Sequence, residues 1–250
     1  VIDEFDKCLE MGFQEEMSEV IVQIPYLKRR FLLSATDAPA IPRFVSEGDF
    51  LKLNFLEDEE QIPERIKVYT VKSPEKDKLE VLSKLLCYLG DKSSLVFVNY
   101  RESVERVYRY LLQAGISCEM FHGGMEQKDR ERALYKFSNG SCNVFVSTDL
   151  AARGLDIPNI DHVIHYHLPL NEDAYIHRNG RTARWDASGN VFLILGPEEY
   201  LPEFIQQIPE DYVWEGPKPD PAKPQWVTLY IGKGKKDKIN KVDIVGFLSR

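Results

Sequence analysis

The amino-acid sequence predicts an α/β protein built around a parallel sheet. From Ile66 onward, short apolar runs alternate with amphipathic segments, a pattern typical of a parallel sheet covered by helices on both faces. Between the runs, apolar residues recur at helical spacing and form core-facing stripes. Polar residues gather where several strands end, at the sheet edge where open α/β sheets place their ligands. Strands are expected near residues 66–71, 94–99, 117–121, 143–147, 161–166 and 190–195.

The composition is that of a globular protein without a membrane segment. The 250 residues carry 32 basic and 40 acidic side chains, for a net charge of −8. No window approaches the roughly 18 uninterrupted apolar residues that a membrane helix requires, and the first residues do not form a signal peptide. We therefore expect a cytoplasmic protein with no membrane partner. The four scattered cysteines form no Cys-x-x-Cys pair and indicate reduced core thiols: Cys8, Cys87, Cys118 and Cys142.

The first residues predict carboxylates at a sheet edge. Val1-Ile2 has the character of the end of a buried strand, so we expect a fragment that begins within a domain. Asp3-Glu4-Phe5-Asp6 follows directly. Carboxylates in this place can hold Mg²⁺ through its water ligands and orient an attacking water. A short acidic run in a loop is also typical of a solvated surface.

The remainder of residues 1–56 predicts one helix and two strands. Apolar spacing favours a helix over residues 15–24, which Pro25 ends. A buried strand over residues 30–33 leads into Ser34-Ala35-Thr36, whose hydroxyls can join this loop to the carboxylates. A short strand is expected over residues 50–54.

The domain organisation follows from breaks in these patterns. An acidic run with Pro63 predicts a linker over residues 57–65, and the strand and helix alternation then defines a domain over residues 66–212. Four prolines between residues 217 and 224 indicate a semi-rigid spacer over residues 213–225. A new unit is expected to begin at residue 226.

Three loops of the predicted domain carry candidate phosphate ligands. Residues 99–101, 121–124 and 147–149 each follow a predicted strand. Glycines in the second loop allow backbone amides to approach a sugar–phosphate chain, and arginine and glutamine side chains nearby can donate to phosphate oxygens. Each loop taken alone is equally typical of an ordinary turn.

An arginine-rich octet, His177-Arg178-Asn179-Gly180-Arg181-Thr182-Ala183-Arg184, follows later in the domain. Arginines at i and i+3 around a glycine bend can converge on one polyanion, because each guanidinium offers planar, bidentate donors. The alternative is a solvated or ion-paired surface.

The C-terminal 25 residues are locally basic. They begin with an expected strand over residues 226–231 and end with an expected helix over residues 242–248. Six basic and two acidic residues give a net charge of +4, against −8 for the whole chain. The loop between the two elements is therefore a candidate phosphate contact, or else a solvated lysine loop. Its lysines are Lys233, Lys235, Lys236 and Lys238.

Taken together and in order, these stretches resemble the DEAD-box helicases over residues 1 to about 210. The octet is similar to motif VI, usually His-Arg-Ile-Gly-Arg-Thr-Gly-Arg. The tail resembles the opening of the RRM-like RNA-binding module found at the C terminus of DbpA-type helicases. The other matches are residues 3–6 with motif II, as Asp-Glu-Phe-Asp, 34–36 with motif III, 97–101 with motif IV, 122–130 with the region after it, and 147–156 with motif V.

The resemblance implies the fold and the role of each motif. The C-terminal part of one RecA-like domain would precede a second, complete RecA-like domain and the start of an RRM-like module. Asp3 would hold Mg²⁺ through water, and Glu4 would polarise the attacking water. Asp6 would link to the loop of Ser34 and Thr36, and His177 would tie motif VI to the other motifs. Arg181 and Arg184 would reach the γ-phosphate, with Gly154 and Asp156 lining the nucleotide. The catalytic set implied in this way is Asp3, Glu4, Asp6, Ser34, Thr36, His177, Arg181 and Arg184. Those implied to hold RNA are Arg101, Gly123, Gln127, Arg130 and Thr148, supported by Asp149 and Arg153, and the four tail lysines.

The implied function is an ATP-dependent RNA helicase that acts on structured RNA, and the DbpA resemblance suggests ribosomal RNA. Oligomerisation is not required. The sequence contains no G-x-x-x-x-G-K-[ST] phosphate loop, so we expect the loop upstream and the fragment itself to hydrolyse ATP negligibly. The alternatives are an RNA-binding scaffold that has lost hydrolysis, and a related DNA helicase or remodeller.

Motif VI departs from the usual spelling. Asn179 replaces an apolar residue, Ala183 replaces a glycine, and Trp185-Asp186 follows where glycine and basic residues are common. These departures predict that the backbone bend before Arg184 has less conformational freedom than usual. They also predict reduced or altered coupling of ATP hydrolysis to RNA binding.

Overall fold

A computed structural model describes residues 1–10, 12–34, 41–42, 45, 51–54, 65–152, 160–182, 188–206 and 208–249. The chain divides into two compact units, Val1–Glu64 and Arg65–Arg250. The finer domain boundaries drawn from the sequence stay predictions. None of the described helices has both the length and the apolar character needed to cross a membrane.

The described residues of the first unit contain two helices, α1 (Phe5–Glu10) and α2 (Gln14–Val22), and α2 confirms the helix expected near residues 15–24. Ile2 and Leu32 form a single parallel bridge, and the amide of Phe5 donates to the carbonyl of Leu33 at 2.9 Å. The carboxylate turn therefore lies beside the segment that enters Ser34, as expected.

The predicted burial of the strands in this unit is wrong. Phe31 and Leu33 are 57% and 50% exposed. Among the described residues this segment pairs only through the bridge between Ile2 and Leu32, and no described element packs over the two exposed side chains. The strand expected at residues 50–54 is absent from 51–54, where no described strand pairs with the backbone. The apolar pattern of a segment does not by itself indicate whether other elements are present to pair with its backbone or to cover its side chains.

The second unit is built on a parallel sheet, which has seven strands in the described residues. They are β1 (Ile66–Lys72), β2 (Ser94–Phe97), β3 (Cys118–Phe121), β4 (Val144–Ser147), β5 (His162–His165), β6 (Gly189–Leu195) and β7 (Glu210–Asp211). Their order in the sheet is β3-β4-β2-β5-β6-β1-β7, and every strand pair is parallel. The six expected strands are confirmed, and β7 was not predicted because its two acidic, exposed residues carry no apolar pattern.

Helices cover both faces of this sheet, as the sequence predicts. The helices are α3 (Leu79–Leu89), α4 (Arg101–Gln113), α5 (Gln127–Ser138), α6 (Asp149–Ala152) and α7 (Glu172–Asn179). Alternate residues of β2 enter opposite cores: Val96 packs with α3 and α4, whereas Leu95 packs with α5 and α6. The alternation follows from the two-residue period of a strand.

The tail differs from its prediction in one element. Residues 226–231 form no strand, since no described strand lies beside them, and so the expected RRM-like module stays a prediction. A 3-10 turn over Lys235–Asp237 precedes α8 (Lys241–Leu248), which confirms the expected helix. Asp243 caps α8 by accepting from the backbone amide of Asn240 at 2.8 Å.

The cysteines are free thiols, and three of the four are buried as expected. Cys8 is the exception, because it lies partly exposed on the short helix α1. Burial raises the pKa of Cys142 to about 12 and also raises the pKa of Cys118, which keeps both thiols protonated near neutral pH.

Candidate functional site

The carboxyl ends of the central strands bring together loops that are far apart in the sequence. Because β4, β2 and β5 are adjacent and parallel, the segments that follow them meet at one edge of the sheet. These segments lead into Arg101 at the start of α4, Asp149 at the start of α6 and His167 after β5.

Arg178 joins these loops to α7, although the sequence predicts no separate role for it. Its side chain is 1% exposed, and its Nε and Nη2 donate to the two carboxylate oxygens of Asp149 at 2.6 and 2.7 Å. Nη2 also donates to Oδ1 of Asn99 at 2.8 Å, and Nη1 to the carbonyl of His167 at 2.7 Å. Bidentate, charge-assisted bonds fix both distance and orientation. Asp149, expected to support an RNA surface, is thus engaged in orienting α7.

His165 and Asn179 form a buried pair beneath this network. Nη1 of Arg178 lies 3.3 Å from Nδ1 of His165, and since arginine can only donate, Nδ1 must accept. The proton is therefore on Nε2, which lies 2.9 Å from Oδ1 of Asn179 and donates to it. Burial first, and then the charge of Arg178, lower the pKa of His165 to about 3, so the ring is neutral at physiological pH. The unusual Asn179 is accommodated because His165 satisfies it.

Two residues of the catalytic set that the resemblance implies, His177 and Arg181, lie together at the end of α7. Both line a small pocket with Phe97, Asp149, Ala152 and Arg178. The backbone then passes through Thr182, which is 2% exposed and donates from its hydroxyl to the carbonyl of Ile160. A Cβ added to Gly189 would lie 1.9 Å from Thr182 Oγ1, so only glycine fits there. Thr182 thus anchors the chain immediately after Arg181.

The loop after β3 brings together several residues expected to hold RNA. A Cβ on Gly123 would lie 3.4 Å from Nη2 of Arg101, which shows that the arginine reaches across this loop. The guanidinium of Arg130 lies 5.2 Å from the centroid of the Phe121 ring. The Nε of Arg130 is buried, and no acceptor reaches it within the described part of the chain. A buried donor without an acceptor is unfavourable, so this atom indicates a ligand that supplies one.

The other residues near this loop differ in whether their side chains can contact a phosphate without first breaking a bond within the protein. The Gln127 side chain donates to Glu131 at 2.9 Å, so it must leave this bond to contact a phosphate directly. Thr148 is partly exposed at the end of β4, the strand next to β3. His122 is buried, and its Nδ1 accepts from the amide of Gly124 at 3.2 Å.

The carboxylates of the first unit lie on a tight turn. Asp3 Oδ1 accepts from the amide of Glu4 at 3.0 Å, and Glu4 has a positive φ of 49°. A non-glycine residue in that region is strained, which is common at functional turns. Asp3 is exposed and Asp6 is buried. The described residues contain no cluster of three metal-ligating side chains, but Mg²⁺ keeps most of its waters and needs only one or two carboxylates, so Asp3 fits it.

Several predicted residues lie outside the described ranges, and the tail lysines lie within them. The lysines expected to meet phosphate are exposed on and around the 3-10 turn, and no ion pair involves them in the described part of the tail. The site residues outside the described ranges are Thr36, Arg153, Gly154, Asp156 and Arg184, with Ala183 and the Trp185-Asp186 pair.

Comparisons with known proteins show that this chain is similar to helicases. Residues 77–186 match the helicase conserved C-terminal domain. The ATP-dependent RNA helicase DbpA of Escherichia coli is 33% identical over 257 residues, which cover 100% of this chain and 56% of the relative. The chain thus spans about half the length of the DbpA helicases that it matches.

Two solved structures extend this likeness to the fold. The E. coli DEAD-box protein SrmB, bound to regulator of ribonuclease activity A, is 31% identical with a TM-score of 0.54, over 64% of this chain and 98% of that one. Saccharomyces cerevisiae Dbp5, bound to RNA and ADP BeF3, is 28% identical with a TM-score of 0.67, over 78% of this chain and 52% of that one.

Proposed function

Because the chain belongs to the DEAD-box RNA helicase family, we propose that the full-length protein couples ATP binding and hydrolysis to the local separation of RNA strands. The observation that carries this proposal is the Arg178 network. It ties the loops after β2, β4 and β5 to α7, so that residues expected to hold RNA and residues expected to meet ATP share one rigid edge. RNA bound at this edge can thereby influence the residues that act on ATP.

The proposed chemistry relies on position and charge. Phosphoryl transfer needs little covalent help from a protein, and the main requirement is to orient water and neutralise the departing γ-phosphate. In the proposal, Glu4 orients the water, and Arg181 and Arg184 neutralise the phosphate. Mg²⁺, held by Asp3 through its water ligands, would supply further positive charge to the phosphates when bound. In the proposal, hydrolysis needs the carboxylates of the first unit as well as the arginines of the second, and this double requirement links ATP binding to RNA binding.

The RNA surface of the proposal is the loop after β3 together with the end of β4. Arg101 and Arg130 donate to phosphates there, and the unsatisfied Nε of Arg130 gains an acceptor when RNA binds. Thr148 contacts the same strand from the neighbouring loop. Phosphate contacts of this kind position RNA without reading its sequence.

The RNA substrate and the cellular location are proposed from the likeness to DbpA, which extends over the whole chain. We propose structured ribosomal RNA in the cytoplasm as the substrate, with no requirement for oligomerisation. The presence of Asp3, Glu4, Arg181 and Arg184 in the sequence favours an enzyme over a scaffold that has lost hydrolysis.

We expect the double variant Arg101→Ala, Arg130→Ala of the full-length protein to bind RNA at least about tenfold more weakly, because each charged hydrogen bond to phosphate contributes roughly 1.5–3 kcal/mol. Fluorescence anisotropy with labelled RNA and a non-hydrolysable ATP analogue measures the change. The matched control, Lys67→Ala with Lys76→Ala, removes the same charge from exposed positions on and just after β1. Equal losses in the two double variants would contradict the proposed surface.

A further inference from the structure

The tail is fastened to the second unit at a defined point. The hydroxyl of Thr228 accepts from Nδ2 of Asn139 at 3.0 Å and lies 2.8 Å from the hydroxyl of Ser141. Beside it, a Cβ on Gly140 would lie 3.4 Å from the indole Cδ1 of Trp226. The tail is therefore anchored on the turn between α5 and β4.

This anchor places Tyr230 against two cations of α5. The Tyr230 ring centroid lies 5.7 Å from Nζ of Lys128 and 5.4 Å from Cζ of Arg132. Tyr230 remains 64% exposed, as does Tyr135 one turn further along α5. Positions 128, 132 and 135 have the i, i+4, i+7 spacing of one helical stripe. The α5–tail face, defined by these four side chains, thus presents two cations interleaved with two exposed rings.

The charge near this face favours a polyanion. The basic loop of residues 233–238 begins three residues after Tyr230, and its lysines are exposed. Within the face, Arg132 shares its charge with Asp129 at 3.4 Å, whereas no ion pair to Lys128 occurs in the described residues. The whole chain carries a net charge of −8, so this local excess of positive charge attracts a polyanion to the face in preference to the rest of the surface.

The face also continues the proposed RNA surface. The first turn of α5 carries Gln127 and Arg130, which belong to that surface, and the stripe with Lys128 and Arg132 is the next one around the helix. Arg130 and Arg132 are two residues apart, so their side chains leave opposite flanks of α5. A strand therefore passes from the loop after β3 over the exposed first turn, where Gln127 and Lys128 are consecutive, to reach Arg132 and Tyr230.

We propose that the α5–tail face is a second binding surface for single-stranded RNA, which receives the strand that leaves the loop after β3. The inference rests on the proposed RNA-binding function and extends it. Lys128 and Arg132 contact phosphates, and Tyr135 and Tyr230 stack on unpaired bases, which every base permits. The anchored tail lengthens the RNA footprint of the second unit toward the basic loop.

The test compares two RNAs on the full-length protein with a non-hydrolysable ATP analogue. One is a strand of about six nucleotides, which fills only the loop after β3, and the other carries about ten further unpaired nucleotides. Lys128→Ala with Arg132→Ala leaves binding of the short RNA unchanged and weakens binding of the extended RNA by about tenfold. For the extended RNA, the slope of the logarithm of the binding constant against the logarithm of the salt concentration becomes shallower by about 1.4 in this variant. Each lost phosphate contact removes about 0.7 from that slope on single strands.

Two further variants make the outcome specific. Tyr230→Ala weakens binding of the extended RNA about fivefold or more, whereas Tyr230→Phe retains it, because stacking needs the ring and not the hydroxyl. The control Lys67→Ala with Lys76→Ala, which removes the same charge, does not change the ratio of the affinities for the two RNAs. If the α5 variant affects both RNAs equally or neither, while Arg101→Ala with Arg130→Ala weakens both, this inference is wrong and the proposed function stands. If the unaltered protein binds neither RNA, the proposed function itself is wrong.

Discussion

Replacing Arg181 by alanine in the full-length protein is expected to lower kcat for ATP hydrolysis by about 10³- to 10⁵-fold. This is the contribution that an arginine makes in phosphate-transferring enzymes when it neutralises the charge on the γ-phosphate. Arg181 is suited to that role because it borders the pocket at the end of α7, just before the Thr182 anchor. The same loss is expected for Arg184→Ala, which lies outside the described residues.

The Arg181 variant is expected to remain folded and to bind RNA, since the side chain is only partly buried and the Arg178 network does not depend on it. Steady-state turnover with saturating RNA measures the loss. Arg181→Lys separates charge from shape, because lysine cannot form a bidentate contact, and it should recover only a small part of kcat. Arg109→Ala, at an exposed pair with Glu105, should retain full turnover. A folded Arg181→Ala protein with less than a tenfold loss would show that Arg181 does not reach the phosphate.

Replacing Arg178 by alanine is expected to lower the free energy of unfolding of residues 1–250 by about 3–5 kcal/mol, the usual effect of removing one partner from a buried ion pair. The cost arises because Asp149 loses its cation and Asn99 and the His167 carbonyl lose their donor. Urea unfolding followed by far-UV circular dichroism measures the change. RNA-stimulated turnover of the full-length protein should fall as well, because α7 is no longer held against the loops.

The control for Arg178 is Arg109→Ala, which removes an exposed arginine from its pair with Glu105 and should cost no more than about 0.5 kcal/mol. A double variant, Arg178→Met with Asp149→Asn, removes both charges and should recover part of the stability, because no uncompensated ion remains. If Arg178→Ala is as mild as Arg109→Ala, the network is not what holds the loops together.

The six longer strands of the second unit were predictable because largely apolar runs of four to seven residues, covered on both faces, leave a strong signal. β7 could not be predicted, since its pairing with β1 depends on the path of the chain and not on its own two acidic residues. In the first unit the same apolar signal was misleading about burial at residues 30–33, where Phe31 and Leu33 are exposed and the described residues form one bridge. Local pattern therefore indicates a strand only where neighbouring strands are present to pair with it.

The candidate site was predictable as a set of loops but not as a network. The order of the strands brings Asn99, Asp149 and Arg178 together, and sequence spacing does not specify that order. Arginine is usually exposed, so nothing in the sequence indicates that Arg178 is buried. The compensation of Asn179 by His165 was missed for a related reason, because the two side chains meet only when β5 and α7 pack.

The most direct measurement is ATP turnover by the full-length protein without nucleic acid, with RNA, and with DNA of matched sequence. The proposed coupling predicts a low basal rate that rises strongly with RNA and little with DNA, because contacts to the 2′-hydroxyl distinguish the two. Arg181→Ala should remove the stimulated rate. Turnover that is equally fast without nucleic acid, or with DNA, would contradict the claim that RNA controls hydrolysis.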